Sequence, residues 1–386
     1  MEYKRLGDYI REVNVRNKDL KVTNLLGVSI SKEFMPSIAN TIGTDMSAYK
    51  IVQRGQFAYG PVTSRNGDKV SIALLDGYDD AIISQAYTVF EVIDLEELLP
   101  EYLMMWFRRP EFDRYARFHS HGSAREIFDW DELCDVMLPI PSITRQREIV
   151  SEYETLTNRI RLNNQMIQHL EATAQILYRK TFVDAIDKEH LPEGWRIGTL
   201  GEVVESYSKT HIFNKKELIF LNTSDVLDGK ILLHEYSIVE NMPGQAKKEI
   251  ANGDILFSEI RPANKRYAIV REEHPEDFVV STKLMVLRIK DNSYSNLKVY
   301  FYLTLPDVLS DLQKQADGAS GTFPQITFDG NLRNREIIIG DKDTEDEWGR
   351  YLSVHFNNIW IREHENSKLT ELQSLLLAKM GQLKQS

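Results

Sequence analysis

Residues 149–177 read IVSEYETLTNRIRLNNQMIQHLEATAQIL. Ile149, Tyr153, Leu156, Ile160, Asn163, Ile167, Leu170, Ala174 and Leu177 recur in it at alternating steps of four and three. That is a heptad seam, without proline or glycine, and it predicts one long helix over about 145–183 laid against another helix. At 1.5 Å per residue this helix is roughly 58 Å long. Residues 142–144 can cap its start, with Glu148 in the first turns. Asn163 is the single polar residue on the seam, and a buried asparagine there sets register and partner at a cost in stability. The partner is expected at the C-terminal end. Leu352, Phe356 and Ile359 begin a second seam, and Leu369, Leu372, Leu376 and Leu383 continue it after a polar stretch at 363–366. The expected arrangement is antiparallel; a homomeric coiled coil is the competing one.

Outward from this helix the chain nearly repeats itself. Leu6-Gly7-Asp8 returns 194 residues on as Leu200-Gly201-Glu202. Gly55-Gln56-Phe57-Ala58-Tyr59 returns 198 residues on as Gly253-Asp254-Ile255-Leu256-Phe257. Ser84 ahead of Tyr87 and Val89 returns 197 on as Ser281 ahead of Leu284 and Val286, and Ile127-Phe128-Asp129 returns 200 on as Thr327-Phe328-Asp329. The order holds while the shift drifts, as short loop insertions would cause. Each copy mixes short β-like runs with a helical stretch, 101–115 or 297–315, broken by Pro110 or Pro306. Residues 189–195 read as a linker that launches the second copy. The expected fold is α+β: two similar mixed α/β globules separated by two long helices packed as an antiparallel coiled coil, with pseudo-twofold symmetry. The expected divisions are 1–142, 143–186, 187–341 and 342–386.

A chain of 386 residues with 42% apolar content has room for more than one core. Its one cysteine, Cys134, excludes an intrachain disulfide and reads as a small buried apolar side chain. No apolar run approaches the roughly 18 residues that span a bilayer, and the start of the chain lacks a secretory core, so a cytoplasmic protein is expected. The net charge of −11 weighs mildly against contact with phosphates. Residues 1–142 carry 16 Lys/Arg against 22 Asp/Glu, and residues 187–341 carry 19 against 24. Any DNA-facing surface is therefore a local cluster on an acidic background. Candidates are Arg108, Arg109, Arg114, Arg117 and Arg125; Lys247 and Lys248; and Arg261, Lys265, Arg266 and Arg271.

Catalytic constellations are missing from the sequence. It contains no GxxxxGK[ST] phosphate loop, no Asp/Asn/Ser-Pro-Pro-aromatic tetrapeptide and no HExxH. His119 and His121 lack further ligands nearby in sequence, and Pro275-Glu276-Asp277 with Lys283 lacks the carboxylate-x-Lys pair of metal-dependent nucleases. A large chain with two modules and no catalytic core reads as a binding protein.

These segments resemble the specificity (S) subunit of Type I restriction-modification systems, and the resemblance runs the length of the chain. Its carriers are Leu6-Gly7 and Leu200-Gly201; Gly253-Asp254-Ile255-Leu256-Phe257-Ser258 with Ile260-Arg261-Pro262; Leu138-Pro139-Ile140-Pro141-Ser142 leading into Gln146-Arg147-Glu148-Ile149-Val150; and Gly194-Trp195. The resemblance implies two target recognition domains, each reading part of a split double-stranded DNA site, with the paired helices as a ruler. It also implies as partners two copies of a modification subunit that methylates adenine and a restriction subunit. S-adenosylmethionine and ATP would then bind those partners, and no cofactor this chain. The second half departs from the pattern: Ile337-Ile338-Ile339-Gly340-Asp341-Lys342 replaces the proline-rich helix entry.

Affinity is expected from Lys and Arg on phosphates, and sequence choice from side chains on base edges. In the first globule the candidate DNA-binding residues are Thr63, Ser64, Arg65 and Asn66 with Ser123 and Arg125. In the second they are Ser258, Arg261, Asn264, Lys265 and Arg266 with Ser320 and Thr322. All of them could equally be ordinary turn residues. Because the two sets differ, the half-sites are expected to differ. Two rival readings remain: a coiled-coil scaffold with two protein-binding modules, and a nuclease.

Overall fold

The computed structural model describes residues 3–37, 43–63, 69–122, 125–184, 186–291, 293–318 and 324–382. Helices and strands are mixed along the chain, the α+β class expected. The two long helices are Ile143–Arg179, continued by a π-helical turn at Lys180–Asp184, and Lys342–Met380. The chain forms two compact units, Met1–Asn163 with Glu363–Ser386, and Asn164–Arg362, so that each unit holds part of both helices. No described helix is long and apolar enough to cross a membrane.

In the first unit, Tyr3–Arg5 pairs antiparallel with Met137–Pro139 and closes the root of the globule. Beyond it lies a four-stranded antiparallel sheet, ordered Ile10–Val13, Thr88–Val92, Phe57–Gly60, Ser71–Leu74. Strand side chains alternate between faces. Phe57, Tyr59, Ile72 and Phe90 pack on one face in the core that includes the helices Pro100–Phe107 and Pro110–Phe118. Ala58, Ala73 and Val89 pack on the other against Leu26, Val52 and Ile83. Pro110 opens its helix at the first position, where a proline's missing N–H is harmless.

The second unit repeats this plan. Arg196–Thr199 pairs with Glu336–Ile339 at the root. The sheet runs Val204–Tyr207, Leu284–Ile289, Ile255–Ser258, Tyr267–Ile269. Phe257, Tyr267 and Met285 face the core containing the helices Asn296–Thr304 and Pro306–Asp317, while Leu256, Ala268 and Val286 face the opposite layer. Ile337, Ile338 and Ile339, the unusual entry to the second long helix, are a buried root strand like Met137–Pro139. The helix after it begins at Lys342, 199 residues after Ile143.

Every expected seam position on the first long helix is buried or half-buried: Ile149, Tyr153, Asn163, Ile167 and Ala174 fully, and Leu156, Ile160, Leu170 and Leu177 partly. Within the first unit Ile149, Val150 and Tyr153 share a core with Leu377 and Met380. Further along, Gln373 donates to the Thr157 hydroxyl at 2.7 Å, and Asn163 donates to Glu365 at 2.9 Å and to Asn366 at 3.0 Å. Within the second unit Ala174, Tyr178 and Phe182 pack with Leu352, Phe356 and Trp348. One residue number rises as the other falls, so the segments are antiparallel inside each unit.

Ile359 is buried, and Leu369 and Leu376 are half-buried. Leu372 is not on the seam: it is 48% exposed. Leu383 lies outside the described residues. The second helix is unbroken, so the phase set by Leu352 and Ile359 runs on in sevens through Asn366, Gln373 and Met380. A seam that passes through an asparagine and a glutamine cannot be picked up by following leucines.

Asn163 is 4% exposed and bonded to two partners across the seam. Asn163→Leu alone strands those partners and is expected to destabilise the chain by about 1–3 kcal/mol in urea unfolding. Adding Asn366→Leu is expected to recover most of that loss, since two apolar residues then face each other.

Candidate nucleic-acid interface

In each unit the far end of one sheet hairpin is held against the segment that returns from the proline-started helix. In the first unit the hairpin is Phe57–Gly60 with Ser71–Leu74. Val62 bridges to Ile127, Thr63 N–H donates to the Glu126 carbonyl at 3.0 Å, and Phe128 N–H donates to the Pro61 carbonyl at 2.9 Å. In the second, Ile260 bridges to Gln325, Arg261 N–H donates to the Pro324 carbonyl at 3.2 Å, and Ile326 N–H donates to the Glu259 carbonyl at 2.8 Å. The strand ends at 61–63 and 259–261 are thus each joined to a segment about 60 residues further on, 126–128 and 324–326. This makes Thr63 and Arg261 equivalent positions.

Their side chains go opposite ways. Thr63 is 2% exposed, and its hydroxyl lies 3.0 Å from the Ser120 hydroxyl and 3.2 Å from the Glu126 carbonyl. It shapes the clamp and offers nothing to a base edge. Arg261 is exposed, in the left-handed region at φ 48°. Among the described residues no hydrogen bond or ion pair engages its guanidinium.

Ser258 is also structural. It is buried, and its hydroxyl accepts from Ile260 N–H at 3.0 Å and donates to the Ile260 carbonyl at 3.1 Å. Lys265, at φ 55°, reaches Asp228 at 3.2 Å. Arg266 donates to the carbonyls of Ser224 at 2.9 Å and Val226 at 3.2 Å. Asn264 and Arg125 are exposed. Ser64, Arg65, Asn66, Ser123, Ser320 and Thr322 lie outside the described residues.

The basic clusters dissolve once the chain is folded. Arg109 is 7% exposed and lies 4.2 Å over the Trp106 ring. Arg108 lies 5.9 Å over the Tyr153 ring, Arg114 pairs with Glu111, and Arg117 pairs with Glu126. Arg271 lies 4.5 Å over the Phe356 ring. Lys248 donates to the carbonyls of Thr282 and Leu284, and burial pushes its ammonium below the usual lysine range. Lys247 alone of that pair is exposed. His119 and His121 share one carboxylate, Glu132, at 2.9 and 3.5 Å. Among the described residues no group of three or more His, Cys, Asp or Glu is placed to hold a metal ion.

One residue the sequence reading passed over is Lys314. It is exposed on the helix Pro306–Asp317 and lines, with Ala263, Lys265, Ser310 and Gln313, a groove of about 360 Å³ beside the Arg261 loop. Only the packing of that helix on the loop reveals it.

Residues 192–371 match the family model for the Type I restriction modification DNA specificity domain. Over 183 residues the chain is 40% identical to the Type I restriction enzyme HindI specificity subunit of Haemophilus influenzae. That match takes in 47% of this chain and 39% of the relative, so it spans well under half of the relative's length. The crystal structure of a Type-I restriction-modification system S subunit from M. genitalium shares the fold, with a TM-score of 0.59 at 12% identity, covering 100% of this chain and 96% of that one. The duplicated clamp therefore belongs to a chain that carries a DNA specificity domain. Over residues 192–371 the chain is similar to the DNA specificity domains of Type I restriction-modification systems, and its fold is similar to that of a whole S subunit.

Gly122 precedes the return segment of the first unit at φ 132°, and a Cβ there would meet the Arg125 carbonyl oxygen at 2.2 Å. Gly122→Ala forces that segment to move and is expected to cost about 1–3 kcal/mol in thermal unfolding.

Proposed function

We propose that the chain is the DNA-reading specificity subunit of a Type I restriction-modification complex, without catalytic activity of its own. Each unit reads one part of a bipartite double-stranded site. Two copies of a modification subunit methylate adenine there, and a restriction subunit completes the assembly. S-adenosylmethionine and ATP bind to those partners, and this chain needs no cofactor. The observation that carries this reading is the clamp built twice on one backbone plan with different side chains at equivalent positions, Thr63 in one and Arg261 in the other. A duplicated reader with unlike contact residues suits a site whose halves differ. The DNA specificity domain at 192–371 supports DNA, and not another protein, as what is read.

Methylome sequencing of cells with and without the gene tests this. One bipartite methylated motif should disappear with the gene; an unchanged methylome sinks the proposal. The net charge of −11 adds a second expectation. The isolated chain should bind duplex DNA weakly and with little selectivity, because its acidic balance opposes contact with phosphates. Nanomolar sequence-specific binding by the chain alone, measured by fluorescence anisotropy near 0.15 M salt, would contradict it.

A further inference from the structure

We infer that Arg261 is the residue with which the second unit reads a guanine, with Lys265 and Arg266 positioning its loop and Lys314 holding a backbone phosphate beside it. This rests on the DNA-reading function proposed above. Four cations lie around the loop, and the structure sorts them. Lys265 is tied to Asp228, and Arg266 to two backbone carbonyls of the neighbouring turn. The Arg261 guanidinium and the Lys314 ammonium are exposed, and among the described residues no hydrogen bond or ion pair engages either.

The loop under Arg261 is fastened on three sides. Arg261 N–H donates to the Pro324 carbonyl, Ala263 N–H donates to Gln313 Oε1 at 3.1 Å, and Asp228 N–H donates to the Lys265 carbonyl at 2.7 Å. Gln313 is itself fixed through its amide, which donates to Asp317 at 2.8 Å. Pro262 is buried beneath the turn. A left-handed backbone disfavours any residue with a Cβ, and such a conformation persists only where the surroundings dictate it. Arg261 therefore stands on a rigid base at a position where glycine would serve the backbone better. A guanidinium is a fork of donors that matches guanine O6 and N7 in the major groove. Lys314 is a point charge on the wall of the groove beside the Arg261 loop, which Ala263 and Lys265 also line, and suits a phosphate.

The test is methylome sequencing of cells carrying the intact gene, no gene, Arg261→Gly or Lys314→Ala. Glycine suits the left-handed backbone, so Arg261→Gly should unfold at or above the wild-type temperature. The motif it directs should relax at one G·C pair in one half, with discrimination there falling about 5- to 150-fold. The other half should stay intact. Lys314→Ala should lower methylation at every site alike without changing the motif. An unchanged motif in Arg261→Gly, or a uniform loss without relaxation, overturns the assignment while the deletion still loses its motif. If the deletion changes nothing, the proposed function itself has failed.

Discussion

Each globule is joined to a long helix through one buried polar side chain in that helix's first turn, and the rest of the unit depends on that joint. In the first unit the residue is Gln146, which is completely buried. Its carbonyl accepts from Leu99 N–H at 2.9 Å, and its amide donates to Glu97 O at 2.8 Å and Pro141 O at 2.9 Å. One side chain thus ties together the sheet-to-helix loop, the end of the root strand and the long helix. In the second unit Glu345 stands 199 residues on in the same role. Its carboxylate accepts from Gly340 N–H at 2.8 Å and from the buried Lys298 ammonium, which also donates to Ile338 O at 3.0 Å and lies 4.0 Å from the centre of the Phe182 ring. Burial pushes the Lys298 ammonium below its usual range, against the opposing pull of Glu345. The two joints fail differently. Losing a neutral amide leaves buried backbone groups unpaired at about 1–3 kcal/mol, whereas breaking a buried ion pair leaves a charge and costs about 3–5 kcal/mol.

That contrast runs through the duplicated chain. The root strands, the four-stranded sheet and the two helices that follow it are common to both units, because they rest on backbone pairing and on apolar residues alternating between two faces. The polar residues set into this frame have diverged: glutamine against a lysine–glutamate pair at the joint, an inward threonine against an outward arginine at the clamp. The frame constrains only shape and apolar volume, so the loops it carries can change their chemistry without disturbing it. A reader with two unlike halves can arise this way from one fold.

The parts of this structure that were legible in the sequence are those whose causes are local or periodic. The first long helix announces itself in nine seam residues, all of which are at least half-buried. The repeat was visible because glycines and strand cores must recur wherever the frame does. Leu372 misled because the second seam passes through Asn366 and Gln373, whose partners Asn163 and Thr157 lie more than 200 residues away. The orientation of the candidate side chains was not legible. Thr63 and Ser258 turn inward for hydrogen bonds that only the folded backbone provides. Lys265 and Arg266 are bonded across a turn some forty residues earlier.

The pairing of charges in the fold bears on how an acidic chain would meet DNA under the function proposed above. Many of its cations are already neutralised: Arg117 by Glu126, Lys215 by Asp277, Arg288 by Asp254. The adjacent carboxylates are neutralised with them. On the proposed reading, what a phosphate encounters at the second unit's clamp is set by Arg261 and Lys314, which among the described residues have no ion pair. At 0.1 M salt the Debye length is about 10 Å, so the acidic remainder of the surface is felt weakly at that spot. Over longer distances a net charge of −11 offers no attraction to guide DNA inward. Selectivity at contact range and attraction at long range are therefore separable in this molecule. On the reading proposed above, Arg261 provides the first, and the second falls to the proposed partner subunits.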